Sequence, residues 1–183
     1  PSFGGDNTTT LNSGNNSVIA GVGNDTVVGG SGYDRIIGDN GRINVEGFAD
    51  YSLFSTDTAQ GGHDTISTGS GVNLVIAGSG NDDVIAGDTL SLIILDNGSI
   101  DRDASLFPVS AISLVNDVHA GNDTANGGAG NSLIIGGLGD DSIDGGGAKN
   151  VIFGDSAEFT AGVYRSIDTG LGGADTLTAG GDD

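Results

Sequence analysis

Gly29-Gly30-Ser31-Gly32-Tyr33-Asp34-Arg35-Ile36-Ile37 is the stretch that decides how this chain folds. Its first six residues are turn material, because glycine accepts the positive φ angles that a tight reversal needs and aspartate closes such turns readily. Its last three are a short strand, with the middle side chain facing a core and its neighbours facing out. Counted outward in nines, degenerate copies of this pattern run through the chain, so repetition sets the architecture.

The nines gather into larger blocks. Units at 2–10, 11–19, 20–28 and 29–37 are followed by a stretch that breaks the period, 38–58. Units at 59–67, 68–76, 77–85 and 86–94 are followed by 95–117, and units at 118–126, 127–135, 136–144 and 145–153 by 154–169. One more unit opens at 170–178, which divides a single repeat domain over 1–183 into blocks 2–58, 59–117, 118–169 and 170–183. The block starts at Ser2, Ala59, Val118 and Gly170 lie 57, 59 and 52 residues apart. A chain that opens and stops mid-pattern reads as a piece of a longer tandem array, with neighbouring blocks or like molecules as possible partners.

Composition narrows the partners. The 183 residues carry 25 acidic side chains against 5 basic ones, a formal charge of −20 whose self-repulsion opposes compaction unless cations bind. Nucleic acid is disfavoured, since gripping phosphates takes a Lys/Arg stripe and this chain has Lys149 and four scattered arginines. The 36 glycines would suit a disordered tract, but the periodic Val, Ile and Leu argue for a packed coil. There is no cysteine to staple the fold and no apolar run of the ~18 residues that a membrane span needs.

Two nonapeptides complete one coil of a parallel β-roll, so turns 18 residues apart stack on one edge. The two edges differ in charge. First and third units of each block place Asn7, Asp25, Asp64, Asp82, Asp123, Asp141 and Asp175 at position six, an almost wholly acidic row. Second and fourth units place Asn16, Asp34, Asn73, Ser91, Ser132 and Asn150 there. Calcium takes about 6–8 oxygens at roughly 2.3–2.6 Å, and stacked acidic turns can offer carboxylates and backbone carbonyls together. The candidate ligands are the carboxylates of Asp25, Asp64, Asp82, Asp123, Asp141, Asp175 and Asp34, the amide of Asn7, and the turn glycines Gly21, Gly23, Gly62, Gly78, Gly80, Gly121, Gly137, Gly139 and Gly173. Calcium is expected mainly on the acidic edge, with Asn and Ser side chains hydrogen-bonding in a stack along the other.

The strands alternate as the turns do. Those after acidic turns, such as Thr26-Val27-Val28 and Thr65-Ile66-Ser67, have a mostly polar outer face, whereas Leu74-Val75-Ile76, Leu92-Ile93-Ile94 and Leu133-Ile134-Ile135 are apolar on both faces. A sheet apolar on both faces must be covered on both. The inserts 38–58, 95–117 and 154–169 are the expected cover: each opens with a related turn, Gly38-Asp39-Asn40-Gly41, Leu95-Asp96-Asn97-Gly98 or Gly154-Asp155-Ser156-Ala157. Each then carries large apolar residues, among them Ile43, Phe48, Tyr51 and Leu53, then Ile100, Leu106 and Phe107, then Phe159, Val163 and Tyr164.

The nonapeptides resemble the repeat-in-toxin, or RTX, family of secreted bacterial proteins, over all of the chain except the inserts. The resemblance implies an all-β, right-handed parallel β-roll, folding coupled to calcium after export by type I secretion, and an extracellular or cell-surface location. The insert-bearing super-repeat is similar to arrays in large surface proteins and adhesins. Asn7 in place of aspartate, and the missing glycine pairs in turns 59–64 and 118–123, depart from the pattern. No HExxH occurs, His63 and His119 sit singly in turns, and the carboxylate pairs are accounted for by metal spacing, so no enzyme is expected. The sequence therefore reads as a calcium-dependent structural or adhesive segment. Glycan or protein recognition through the inserts, or a folding module attached to an enzyme, are the alternatives.

Overall fold

The computed structural model describes residues 4–45, 51–102, 108–113, 118–167 and 170–181. Among them the chain forms 19 strands in three sheets and no helix, hence no helix long and apolar enough to cross a membrane. Strands after the acidic turns, Thr8–Thr10, Thr26–Val28, Thr65–Ser67, Asp83–Ile85, Thr124–Asn126, Ser142–Asp144 and Thr176–Thr178, pair in chain order as a seven-stranded parallel sheet. Strands after the neutral turns, Asn16–Ile19, Asp34–Ile37, Asn73–Ile76, Ser91–Ile94, Ser132–Gly137 and Asn150–Asp155, form a six-stranded parallel sheet. This is the all-β roll expected from the nine-residue period.

The second sheet departs from the three-residue strands of the sequence reading, since its strands begin at position six itself. The backbone N–H there already joins the ladder: Asn73 donates to the Leu90 carbonyl and Ser91 to the Asn131 carbonyl, each at 3.0 Å. On the acidic edge the same N–H is drawn to a neighbouring carboxylate, as from Asp25 to Asp64 Oδ1 at 2.8 Å, and the strand starts one residue later.

In-register columns build the interior. Val27, Ile66, Val84, Ala125 and Ile143 of the first sheet face Ile36, Val75, Ile93 and Ile134 of the second, all buried. Burying an Ile or Val side chain of this kind stabilises by roughly 1.5–3 kcal/mol against leaving it exposed, so the paired columns bind coil to coil along the whole roll.

The inserts build the third sheet. Each contributes an antiparallel hairpin: Gly41–Val45 with Tyr51–Ser55, Gly98–Arg102 with Pro108–Ser113, and Ala157–Thr160 with Val163–Ser166. Hairpins from successive blocks then pair with each other, Tyr51–Ser55 with Gly98–Arg102 and Pro108–Ser113 with Ala157–Thr160, giving six strands. Alternation directs Tyr51, Leu53, Ile100, Ala111 and Phe159 onto Ile37, Leu74, Ile76, Leu92, Ile94, Leu133 and Ile135, the outward apolar face of the second sheet. Where that face carries Arg35 instead of leucine, the guanidinium stacks 4.1 Å above the Tyr51 ring. Of the residues counted as cover in the sequence, Val163 is largely exposed in the outermost strand, while Tyr164 is half-exposed with its ring tilted against Phe159 at 4.7 Å. Phe48, Leu106 and Phe107 lie outside the described residues.

Candidate metal centre

One edge of the roll carries a ladder of carboxylates. Asp25 Oδ1 accepts the Asn7 N–H at 2.6 Å; Asp64, Asp82, Asp123 and Asp141 accept from the preceding position-six N–H at 2.8 Å, and Asp175 from Asp141 at 3.0 Å. The period thus brings together the six aspartates assigned to the acidic edge, with Asn7 at one end contributing its backbone donor. Each carboxylate spends one oxygen on the coil beside it.

The second oxygen is the informative one. Oδ2 of Asp25, Asp64, Asp82, Asp123 and Asp141 is buried without a hydrogen-bond partner, and these residues are at most 2% exposed. An isolated buried carboxylate is costly, and such groups are found paired, metal-bound or protonated. Burial, chiefly, pushes the Asp82 carboxyl up to about 10, with repulsion from Asp123 and Asp64 adding to it against the hydrogen bond from Asp64. Burial likewise raises Asp123 to about 8 and Asp64 and Asp141 to about 7. Among the described residues the one salt bridge formed lies far from this row, between Arg165 and Glu158.

Backbone oxygens share the site. A methyl group placed on Gly38 would strike both Asp64 Oδ2 and the Ala77 carbonyl, and one on Gly136 would strike Asp141 Oδ2 and the Gly154 carbonyl. Glycine leaves the room in which carboxylate and carbonyl oxygens converge. Among the described residues no three His, Cys, Asp or Glu side chains are grouped so as to hold an ion alone, so carbonyls must complete any coordination shell. An all-oxygen set of this kind suits a hard cation such as calcium better than zinc or copper.

The turn glycines serve two different needs. Gly21, Gly23, Gly78, Gly80, Gly137 and Gly139 have φ between 102° and 134°, as the turn argument requires. Gly62, Gly121 and Gly173, in the first turn after each insert, do not; there a side chain would collide with the carbonyls of Gly23, Gly80 and Gly139 in the coil beneath. Close stacking, not φ, demands glycine at these three.

Asp34 stands apart from the other candidate ligands. It lies on the opposite edge, where Oδ1 accepts from Asn16 N–H and Nδ2 at 3.2 and 2.8 Å and Oδ2 from Gly30 N–H at 3.4 Å, leaving neither oxygen unpaired. The expected stack of amides and hydroxyls on that edge is partial. Ser132 N–H donates to Asn150 Oδ1 at 3.0 Å, but Asn73 turns into its own loop, donating to Thr68 Oγ1 and the Gly71 carbonyl at 3.1 Å.

The sequence match to known repeats covers the acidic-edge turns from Asn7 to Asp141 and stops before that of Asp175. The RTX calcium-binding nonapeptide repeat (4 copies) matches residues 3–42, 58–88 and 119–156. The chain belongs to the RTX family. Its repeats are calcium-binding, and modules of this kind are typical of secreted bacterial proteins. No curated protein and no solved structure matches this RTX chain.

Three functional candidates in the RTX roll escaped the sequence reading: Asp39 and Asp96, at most 2% exposed, and Asp155. Burial, chiefly, raises the Asp39 carboxyl to about 8 and that of Asp96 to about 9, with the acidic row adding repulsion. Their signal was the recurrence of an aspartate at the second residue of every insert, outside the nine-residue frame.

Proposed function

We propose that this chain is a calcium-stiffened structural or adhesive segment of an extracellular or surface-attached bacterial protein, and that its ions lie along the acidic edge. The observation that carries the reading is the row of five buried position-six aspartates, each with one oxygen in the coil-to-coil ladder and the other unpartnered. Asp25, Asp64, Asp82, Asp123 and Asp141 would hold the metal with carbonyls from the glycine turns, and Asp175 and Asn7 would close the row. Calcium there supplies the positive charge that the buried carboxylates lack. Because the oxygens come from successive coils, holding one ion joins two coils, and the joined coils make a stiff rod. Asp34 has no part in this. Nor is any catalytic step part of the proposal.

Added blocks should lengthen such a rod in proportion, each coil contributing roughly 4.8 Å. Small-angle scattering in calcium, on this chain and on chains with one or two further blocks, tests it. A maximum dimension that fails to grow with block number would remove the spacer role.

A second reading, recognition of a glycan or protein through the inserts, is favoured by one feature. A cavity of about 200 Å³ opens between the second and third sheets, lined by Leu74, Leu92, Leu133, Phe159 and Tyr164 with Arg102 and Lys149. Saturable glycan binding that is lost in Arg102→Ala would promote this reading over the first.

A further inference from the structure

We propose that the three aspartates opening the inserts, Asp39, Asp96 and Asp155, are additional calcium ligands that clamp the third sheet to the acidic edge. This rests on the calcium reading of that edge and extends it to residues outside the nonapeptides.

The positions come from the path of the chain. Each insert leaves the second sheet where an uninterrupted coil would enter its next acidic turn, so its second residue lies on that edge. Asp39 Oδ2 accepts the Ser79 N–H at 2.6 Å; Asp96 accepts from Gly121 at 3.2 Å and Leu138 at 2.6 Å; Asp155 Oδ1 accepts from Gly173 at 3.0 Å. Gly121 and Gly173 stand two residues before Asp123 and Asp175, and Ser79 and Leu138 three before Asp82 and Asp141. Each insert-opening carboxylate therefore lies on the edge that carries the position-six carboxylates, where backbone carbonyls would have to complete the shell because, among the described residues, no three acidic side chains gather closely enough to hold an ion alone. Glycine makes the space: a methyl group on Gly61 or Gly78 would strike Asp39, one on Gly137 would strike Asp96, and one on Gly172 would strike Asp155.

Accepting N–H bonds does not by itself require charge. In the neighbouring, exposed position-five ladder the acceptor is a neutral amide at Asn24 and Asn81, which accept from His63 and Asn122 at 2.8 Å, and a carboxylate at Asp6 and Asp140. At the buried insert turns the acceptor is always a carboxylate, within electrostatic reach of two others, Asp64 and Asp25 for Asp39 and Asp123 and Asp141 for Asp96. Asp39 Oδ1 is buried with no hydrogen bond of good geometry, although the Gly62 N–H also faces that carboxylate, and Asp64 Oδ2 beside the Gly38-Asp39 turn has no partner. Two buried, unpartnered carboxylate oxygens about one turn are what a cation would satisfy; Asp96, both of whose oxygens already accept N–H bonds, and Asp155 join the proposal by holding the equivalent place at the other two inserts. The hairpins begin two residues beyond the first two aspartates, at Gly41 and Gly98, so the ion would anchor the third sheet where it leaves the roll.

The test compares the full chain with Asp39→Asn, Asp96→Asn and the double variant, which keep an N–H acceptor and remove the charge. Calcium binding is measured by calorimetry, and calcium-dependent protection by hydrogen exchange resolved to segments. The expected result is loss of one ion per substitution, or at least roughly tenfold weaker binding, with protection falling in 41–45 and 98–102 while the first sheet keeps its own. Unchanged stoichiometry, affinity and hairpin protection in the variants would overturn the clamp alone. An unsubstituted chain that binds no calcium would overturn the acidic-edge reading beneath it. Should the double variant fail to fold in calcium, Asp155→Asn, at a less buried turn, decides by the same criteria read on 157–160.

Discussion

At the scale of the residue, charge and proton occupancy carry the chemistry. Asp82→Asn keeps an acceptor for the Asp64 N–H but removes a buried charge, so calcium affinity should drop by at least roughly tenfold. Asn73→Ala removes local bonds to Thr68 and Gly71 and should cost about 1–3 kcal/mol of stability while leaving calcium affinity nearly unchanged. Calorimetry and thermal melts on the pair check this; equal losses of affinity would show that the edges are misassigned. Protons should compete with the metal. The carboxyls of Asp64, Asp82, Asp123 and Asp141 lie at about 7, 10, 8 and 7, raised above 3.8 chiefly by burial, so the metal-free fold takes up protons that the unfolded chain does not. That stability is fully present below about pH 4 and is lost as pH rises through about 7 to 10. Metal-free protein should therefore resist urea better near pH 5 than near pH 9, and calcium should reverse the order because its binding expels the protons. A metal-free protein more stable at the higher pH would contradict the buried, unpartnered state of these carboxyls. Which position-six residues share an edge was legible within each block from the 18-residue spacing, and between blocks from the restart of the nine-residue frame after each insert. Asp39, Asp96 and Asp155 were not, because they stand outside the period and become neighbours of the row only once the inserts have folded back.

At the scale of the element, the second sheet depends on its cover. Leu53 is fully buried between Ile100 and Ile43 of the third sheet and the outward face of the second. Leu53→Ala should cost about 2–5 kcal/mol in urea unfolding and raise binding of a hydrophobic dye, since the cavity opens over the apolar face. A cost below about 0.5 kcal/mol would mean that the inserts do not pack there. The need for cover was readable from strands apolar on both faces, such as Leu74-Val75-Ile76. The conformation of the inserts was not read, although the alternation in Ser99-Ile100-Asp101-Arg102 held a strand signal. That hairpins from separate blocks would join into one sheet was not readable, because Ser99 pairs with Phe54 across the four nonapeptides of the block between them, and neither partner stands in the nine-residue frame.

At the scale of the whole molecule, the described residues of the roll stack six complete coils and a seventh strand, with six position-six carboxylates on one edge. Columns of Val and Ile favour the stack, whereas the chain's net charge of −20 and its buried acids oppose it. A ligand that binds the coiled state and not the unfolded chain shifts that balance by mass action. Folding and calcium loading should then be a single event. Far-ultraviolet circular dichroism of the whole chain at pH 7.5, first stripped of metal and then titrated with calcium, tests this most directly. The β signal should be largely absent without metal and should appear cooperatively, in step with calorimetric calcium uptake. A full β signal in metal-free protein that calcium leaves unchanged would contradict it.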